Sequence, residues 1–272
     1  AGLPDGLRLK AGRAFWTMGY LNEHHAHADD FADRPLPYRA YLNKAFNDDG
    51  IEFSYVVPAD LFVEFGGGIF RGDDFPSGGS TSGLGAWSTY ARIGGDIGDN
   101  QAWRLGAYTL HSDVASRTSN ENTVTFIGQS DLYAADLRYT WAPTGNAKDK
   151  ELVFQTEYFQ RNEDGTYDNV SFDDSSQGWY AQAVYKFAPS WRVGARYSQL
   201  NAAGTPAGLA GGALDSAGHD PYTMSLMGDW TNSEFGRVRV QYNREELTNG
   251  QKDKQFVLQY VMSVGAHGAH AY

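Results

Sequence analysis

The segment Gly178-Trp179-Tyr180-Ala181-Gln182-Ala183-Val184-Tyr185-Lys186-Phe187 sets two kinds of side chain in strict alternation. Trp179, Ala181, Ala183, Tyr185 and Phe187 share one face; Tyr180, Gln182, Val184 and Lys186 share the other. On a helix, alternate charges would be spread round the whole cylinder, so this is a strand with two unlike faces. Residues 222–230, 236–243 and 256–264 repeat the pattern. Eight further runs complete a set of twelve: 7–20, 51–57, 61–70, 86–97, 101–111, 132–141, 152–161 and 191–200. In the first, parity slips near Gly12, which predicts a bulge.

All nine prolines lie outside these runs or at their margins, as a hydrogen-bonded ladder requires. Connections then alternate in length. Those after Val57, Ile97, Phe187 and Trp230 are tight, whereas 21–50, 71–85, 112–131, 162–177 and 201–221 are long. Short turns at one end and long loops at the other define an up-and-down barrel. Strands of about ten residues also suit a tilted crossing of hydrocarbon. The expectation is an all-β, closed, antiparallel transmembrane β-barrel of about 12 strands, forming a single domain over 1–272 with an extracellular first loop at 21–50. A soluble sandwich would also alternate, but it would not keep fixed charges in mid-strand on the face opposite its aromatics.

Composition agrees. Seven Trp, 17 Tyr and 15 Phe make 14% of the chain, alongside 32 Gly, a mixture that favours pleated surfaces and turns. No run approaches the ~18 apolar residues of a spanning helix. With no cysteine, thiolate metal sites and cysteine nucleophiles are excluded. A net charge of −11 argues against nucleic acid as a partner.

The charged parity belongs to the lumen. It holds Glu52, Glu64, Arg92, Asp96, Arg104, Asp136, Arg138, Glu157, Arg161, Lys186, Arg192, Arg196, Asp229, Arg237 and Arg239 as pore-lining candidates. Nine are basic and six acidic, so this wall nets +3 and leaves −14 for the remainder of the chain. Two readings compete: a water-filled channel whose wall sorts small polar solutes or ions, or a small barrel closed by its own arginine–carboxylate pairs.

The first loop contains Asn22-Glu23-His24-His25-Ala26-His27-Ala28-Asp29-Asp30. Imidazoles beside carboxylates suit Zn²⁺ or another divalent cation, making His24, His25, His27, Asp29 and Asp30 candidate ligands. The alternative is a solvated polar loop whose histidines titrate. The continuation, residues 31–42, is too apolar for an exposed link and is expected to fold back on the barrel, into its mouth or against a neighbouring subunit. His267 and His270 fall at the opposite end. His111-Ser112-Asp113 resembles a hydrolase site only superficially, because adjacent strand residues face opposite ways, and no enzyme is expected. The acidic run Glu163-Asp164-Gly165-Thr166-Tyr167-Asp168 reads as a hairpin touching divalent ions that bridge lipopolysaccharide. Gly66-Gly67-Gly68 precedes no helix, so it marks a close approach to the wall rather than a phosphate site.

Gly12-Arg13-Ala14-Phe15-Trp16, Gly19-Tyr20-Leu21-Asn22-Glu23-His24, Phe31-Ala32-Asp33-Arg34-Pro35 and Val57-Pro58-Ala59-Asp60-Leu61-Phe62-Val63-Glu64 resemble a family of proteobacterial outer-membrane proteins. Its members are often labelled zinc-regulated TonB-dependent outer-membrane receptors. The resemblance implies the bacterial outer membrane, a link to zinc and a further segment ahead of Ala1. True receptors of that type need a plug domain and about 22 strands, which 272 residues cannot hold. The parity from Phe256 to a terminal Tyr272 also resembles the assembly signal of such barrels. Implied partners are outer-membrane lipid and lipopolysaccharide, with a homo-oligomer such as a trimer or another envelope protein.

Overall fold

The twelve expected runs become twelve strands in the computed structural model, which describes residues 4–79, 83–119, 123–201, 203–233 and 236–262. They are β1 (Leu7–Phe15), β2 (Asn47–Val56), β3 (Phe62–Phe70), β4 (Ala86–Ile97), β5 (Gln101–Ser119), β6 (Val124–Trp141), β7 (Glu151–Tyr167), β8 (Val170–Ala188), β9 (Trp191–Asn201), β10 (Tyr222–Ser233), β11 (Gly236–Thr248) and β12 (Gln251–Met262). Each pairs antiparallel with its neighbours in chain order, β1 and β12 ending the sequence. The C-terminal parity beyond Met262, with His267 and His270, lies outside the described residues.

The sheet is apolar on its outer face and polar on its inner one. On β10, Leu226 is 59% exposed while Ser225 and Asp229 are buried; on β11, Val240 is 54% exposed beside buried Arg239 and Gln241. In water this arrangement would forfeit the hydrophobic effect, whereas against lipid it satisfies every side chain. Among the described residues no helix is long and apolar enough to cross a membrane, so strands make the crossing.

Three expectations change. The first run stops at Phe15, and β1 pairs with β2 in unbroken register from Leu7↔Tyr55 to Phe15↔Asn47, with no bulge at Gly12. There the Trp16 N–H bonds the Phe46 carbonyl and the indole N–H bonds the Asp48 carbonyl, drawing both ends of the first loop together. The supposed loops 112–131 and 162–177 are instead paired extensions of β5–β6 and β7–β8. Their outer face is largely polar, and a register shift between Val114 and Arg117 breaks the parity of the buried inward residues Val114, Val124 and Phe126, which hid the alternation. The β7–β8 turn needs only Asp168 and Asn169, both at positive φ, as a two-residue hairpin demands. Gly66 and Gly68 leave room on the inner wall for the Tyr90 and Phe70 rings, where a Cβ would collide.

Candidate functional site: the occupied lumen

Residues 17–45 do not project outward. They run down the inside of the sheet and return, touching strands far apart in sequence. Thr17 donates to Glu52 on β2, Glu23 accepts from Arg92 on β4, and Tyr20 meets Glu157 on β7. Asp33 meets Arg196 on β9 and Gln241 on β11. One loop reaches all these strands because the sheet curls around it.

The descending limb carries Trp16, Met18 and Leu21, and the returning limb a short helix, α1 (Leu36–Leu42), with Tyr38, Tyr41 and Leu42. They pack with inward Phe70, Tyr108, Leu110, Leu132, Phe159 and Tyr180, so the hydrophobic core lies inside the barrel, near its loop end. Glu157 fastens this region without a cation. One carboxylate oxygen accepts from the Tyr38 hydroxyl (2.9 Å) and the Tyr20 N–H (3.0 Å). The other accepts from Tyr180, the Leu21 N–H and Gln155. Gly19, at φ +78°, permits this approach, since a Cβ would strike both Glu157 and Tyr38.

The tip, residues 23–34, is held by charge. Arg104 and Arg138 flank the Tyr20 ring at 4.6 and 5.0 Å. Asp229 takes two contacts from Arg192 (2.9 and 2.7 Å) and two from Arg239 (2.8 and 3.0 Å), with Arg237 at 3.8 Å. Arg192 also binds Asp30 (2.7 Å), Arg237 the His27 carbonyl (2.8 Å) and Arg239 the Asp29 carbonyl (3.0 Å). Arg196 grips Asp33 through its carboxylate and its carbonyl, both at 2.7 Å. Forked guanidinium–carboxylate contacts of this kind orient as well as attract. Burial pushes the Asp29 carboxyl up to about 7 despite Arg34 at 2.6 Å, and it raises Glu23 against the pull of Arg92 and Arg104.

Of the pore-lining candidates, thirteen face inward with buried or half-buried side chains. Asp96 instead is exposed beside the β4–β5 turn, and Lys186 reaches the Ala147 carbonyl of the β6–β7 connection, so both lie at the rim. Sequence reasoning missed the loop's own contributions, Glu23, Asp33, Arg34 and Tyr38. It also missed the pair Arg117–Glu163 inside the extended hairpins.

The histidine cluster is not on the outer face. Arg192 and Arg237 are each the second residue of their strands, beside the short turns, and they hold Asp30 and His27 there. Asp29 and Asp30 are engaged by arginines, His25 and His27 stack at 5.6 Å, and His24 lies against Tyr20. Among the described residues no three His, Asp or Glu side chains converge to hold a metal ion. His111 stacks on outward Trp87 and bonds Asp131, whereas Ser112 points inward to Ser77. The two diverge as period two dictates.

An up-and-down sheet with a lipid-suited exterior and a charged interior is a β-barrel of the outer-membrane class. It is similar to OmpTdeltaL8, a loop L8 deletion mutant of OmpT, an outer membrane protein of Vibrio cholerae, with a TM-score of 0.57 and 14% identity over 95% of this chain and 76% of that one. The Pseudomonas putida toluene transporter TodX overlaps more loosely, with a TM-score of 0.36 and 10% identity over 78% and 73% of the two chains. In sequence, an uncharacterized protein of Aquifex aeolicus (strain VF5) is 24% identical over 293 residues. The alignment takes in all of this chain, which spans 61% of that protein's length. No family model matches. The likeness to OmpTdeltaL8 supports the barrel expected from the sequence, and none of the comparisons lends anything to the zinc-regulated receptor designation.

Proposed function

We propose that this chain is an outer-membrane channel for the passive passage of small polar solutes or ions, and that its inward-folded first loop is the constriction. The observation that carries the proposal is the character of the tip's attachments. Side-chain contacts to Arg92, Arg192, Arg196 and Arg239 hold it, and these can exchange for solute or water as the tip moves. The arginines that face the tip would line the path it vacates. The divergence of His111 from Ser112 supports a role without catalysis.

The occupied lumen favours a second reading, a closed barrel that presents its surface to a partner. Planar-bilayer recording separates the two. The parent protein should give small, interrupted currents, and a variant with residues 18–44 replaced by a short flexible linker should give a larger, steady conductance. A folded parent that passes no current at any voltage overturns the channel, whatever the shortened variant does.

A further inference from the structure

A cavity of about 180 Å³ lies at the loop end, away from the tip. Tyr167 and Phe172 of the β7–β8 hairpin line it, as do Leu209 and Leu214 of the β9–β10 connection and Tyr41 of α1. Its floor contains Arg161 and Glu163. A space this size admits a molecule of roughly ten non-hydrogen atoms, well below a drug-sized ligand.

The floor carries an unbalanced charge. Glu163 is already engaged: one oxygen takes Arg117, and the other accepts from the Tyr167 hydroxyl at 2.7 Å. Arg161 approaches the same carboxylate only through Nε, at 3.3 Å, and its guanidinium lies over the Tyr41 ring at 5.1 Å. Two guanidinium groups therefore share one carboxylate. Among the described residues Arg161 forms no hydrogen bond, and its Nε is buried without one. A half-buried cation with unused donors calls for an acceptor that brings negative charge. Asp174 is not part of the lining; it accepts from the N–H of the lining residue Gly204 at 2.8 Å.

We infer that this cavity binds a small carboxylate with an apolar body. The carboxylate meets the free edge of Arg161, and the ring or chain packs among Tyr41, Phe172, Leu209 and Leu214. An anion satisfies the guanidinium in the paired geometry arginine offers, and a one-ring or short-chain body fits aromatic and aliphatic walls. The site stands whether or not the lumen conducts, because it joins the loop-end hairpin and the β9–β10 connection to the β7 wall and to α1 of the returning limb, which is packed in the apolar core away from the tip.

Titration calorimetry on the full chain in lipid nanodiscs tests it, with benzoate as probe and benzyl alcohol and benzylamine as its neutral and cationic counterparts. Benzoate should bind at least about tenfold more tightly than benzyl alcohol, and benzylamine should not bind. Arg161→Gln should erase the preference for the anion and Arg161→Lys should retain part of it. Leu209→Trp, which fills the cavity from a surface connection and leaves the wall intact, should abolish binding of both neutral and anionic probes. Equal affinity for benzoate and benzyl alcohol, or benzoate binding untouched by Leu209→Trp, overturns the assignment.

Discussion

The two halves of the lumen hold the same loop by different physics. Near the loop end, Trp16, Leu42 and Phe46 meet Phe70, Leu110, Leu132 and Phe159 in a packing that any soluble core would recognise. Near the turn end, the tip is caught among Arg92, Arg104, Arg192, Arg196 and Arg239, with Asp229 as the counter-charge shared by Arg192 and Arg239. The first attachment is non-directional and gains from exclusion of water. The second is directional, and its worth depends on every partner being present. The limbs are therefore suited to staying in place and the tip to being exchanged.

The largest effect should come from breaking the charged half at its centre. Asp229→Asn leaves Arg239, 1% exposed, and Arg192 facing an amide that cannot neutralise them. Removing one partner of a buried ion pair costs about 3–5 kcal/mol, far more than the pair contributes relative to an apolar replacement. Denaturant unfolding of the barrel in lipid should show that loss, whereas a change below about 1 kcal/mol would mean that the tip region is solvated and its pairs are weak.

Glu157→Gln should have a smaller effect, confined to the loop. The amide keeps one acceptor but turns a donor toward the Tyr38 hydroxyl and the Tyr20 N–H, or toward Tyr180 and the Leu21 N–H. Hydrogen bonds to a charged acceptor contribute about 1.5–3 kcal/mol each, and roughly 2 kcal/mol of docking should be lost, with the wall unchanged. Because the chain has no cysteine, Leu21→Cys places a single thiol at a position 5% exposed. Its maleimide labelling should accelerate more than tenfold in the Glu157→Gln background. An unchanged rate would show that apolar packing alone retains the limb.

The contrast also explains what the sequence could disclose. Alternation is local, so β4 keeps the bounds of its run, 86–97, and neighbouring β3 loses only Leu61 from its own. The first loop announced burial through Phe31 in its tip and Leu36, Tyr38, Tyr41 and Leu42 in its returning limb, which are too apolar for an exposed link. Their path was hidden because its partners are remote: Tyr20 meets Glu157 and Ala32 meets Gln241 across 137 and 209 positions. Nothing in Asp33 itself distinguishes a solvated carboxylate from one gripped by Arg196, Gln241 and Asn243. The hairpin extensions escaped notice for the opposite reason. Arg117 and Glu163 pair above the lipid, where no apolar outer face is needed and the contrast between faces fades.

The smallest effect should be a dependence on pH, and its sign follows from burial at the tip. Docking raises the Asp29 carboxyl from its ordinary value near 3.9 to about 7, so the docked loop holds a proton that the released loop gives up. A raised carboxyl favours docking fully below about pH 4, and the benefit is lost as pH climbs through about 7. Glu23 shifts in the same direction, and the charges that face Asp29 are the guanidinium groups of Arg34, Arg196 and Arg239 and the Asp30 carboxylate. The tip should therefore release more readily at pH 8 than at pH 5. Labelling of Phe31→Cys, at a tip position 1% exposed, divided by that of an exposed Ala28→Cys control to remove the thiol's own ionisation, should rise several-fold over this range. Asp29→Asn, which is neutral at every pH, should flatten most of the rise while leaving the loop docked. A ratio that rises on acidification instead would mean that the Asp29–Arg34 ion pair, rather than the cost of burying its charge, governs the tip.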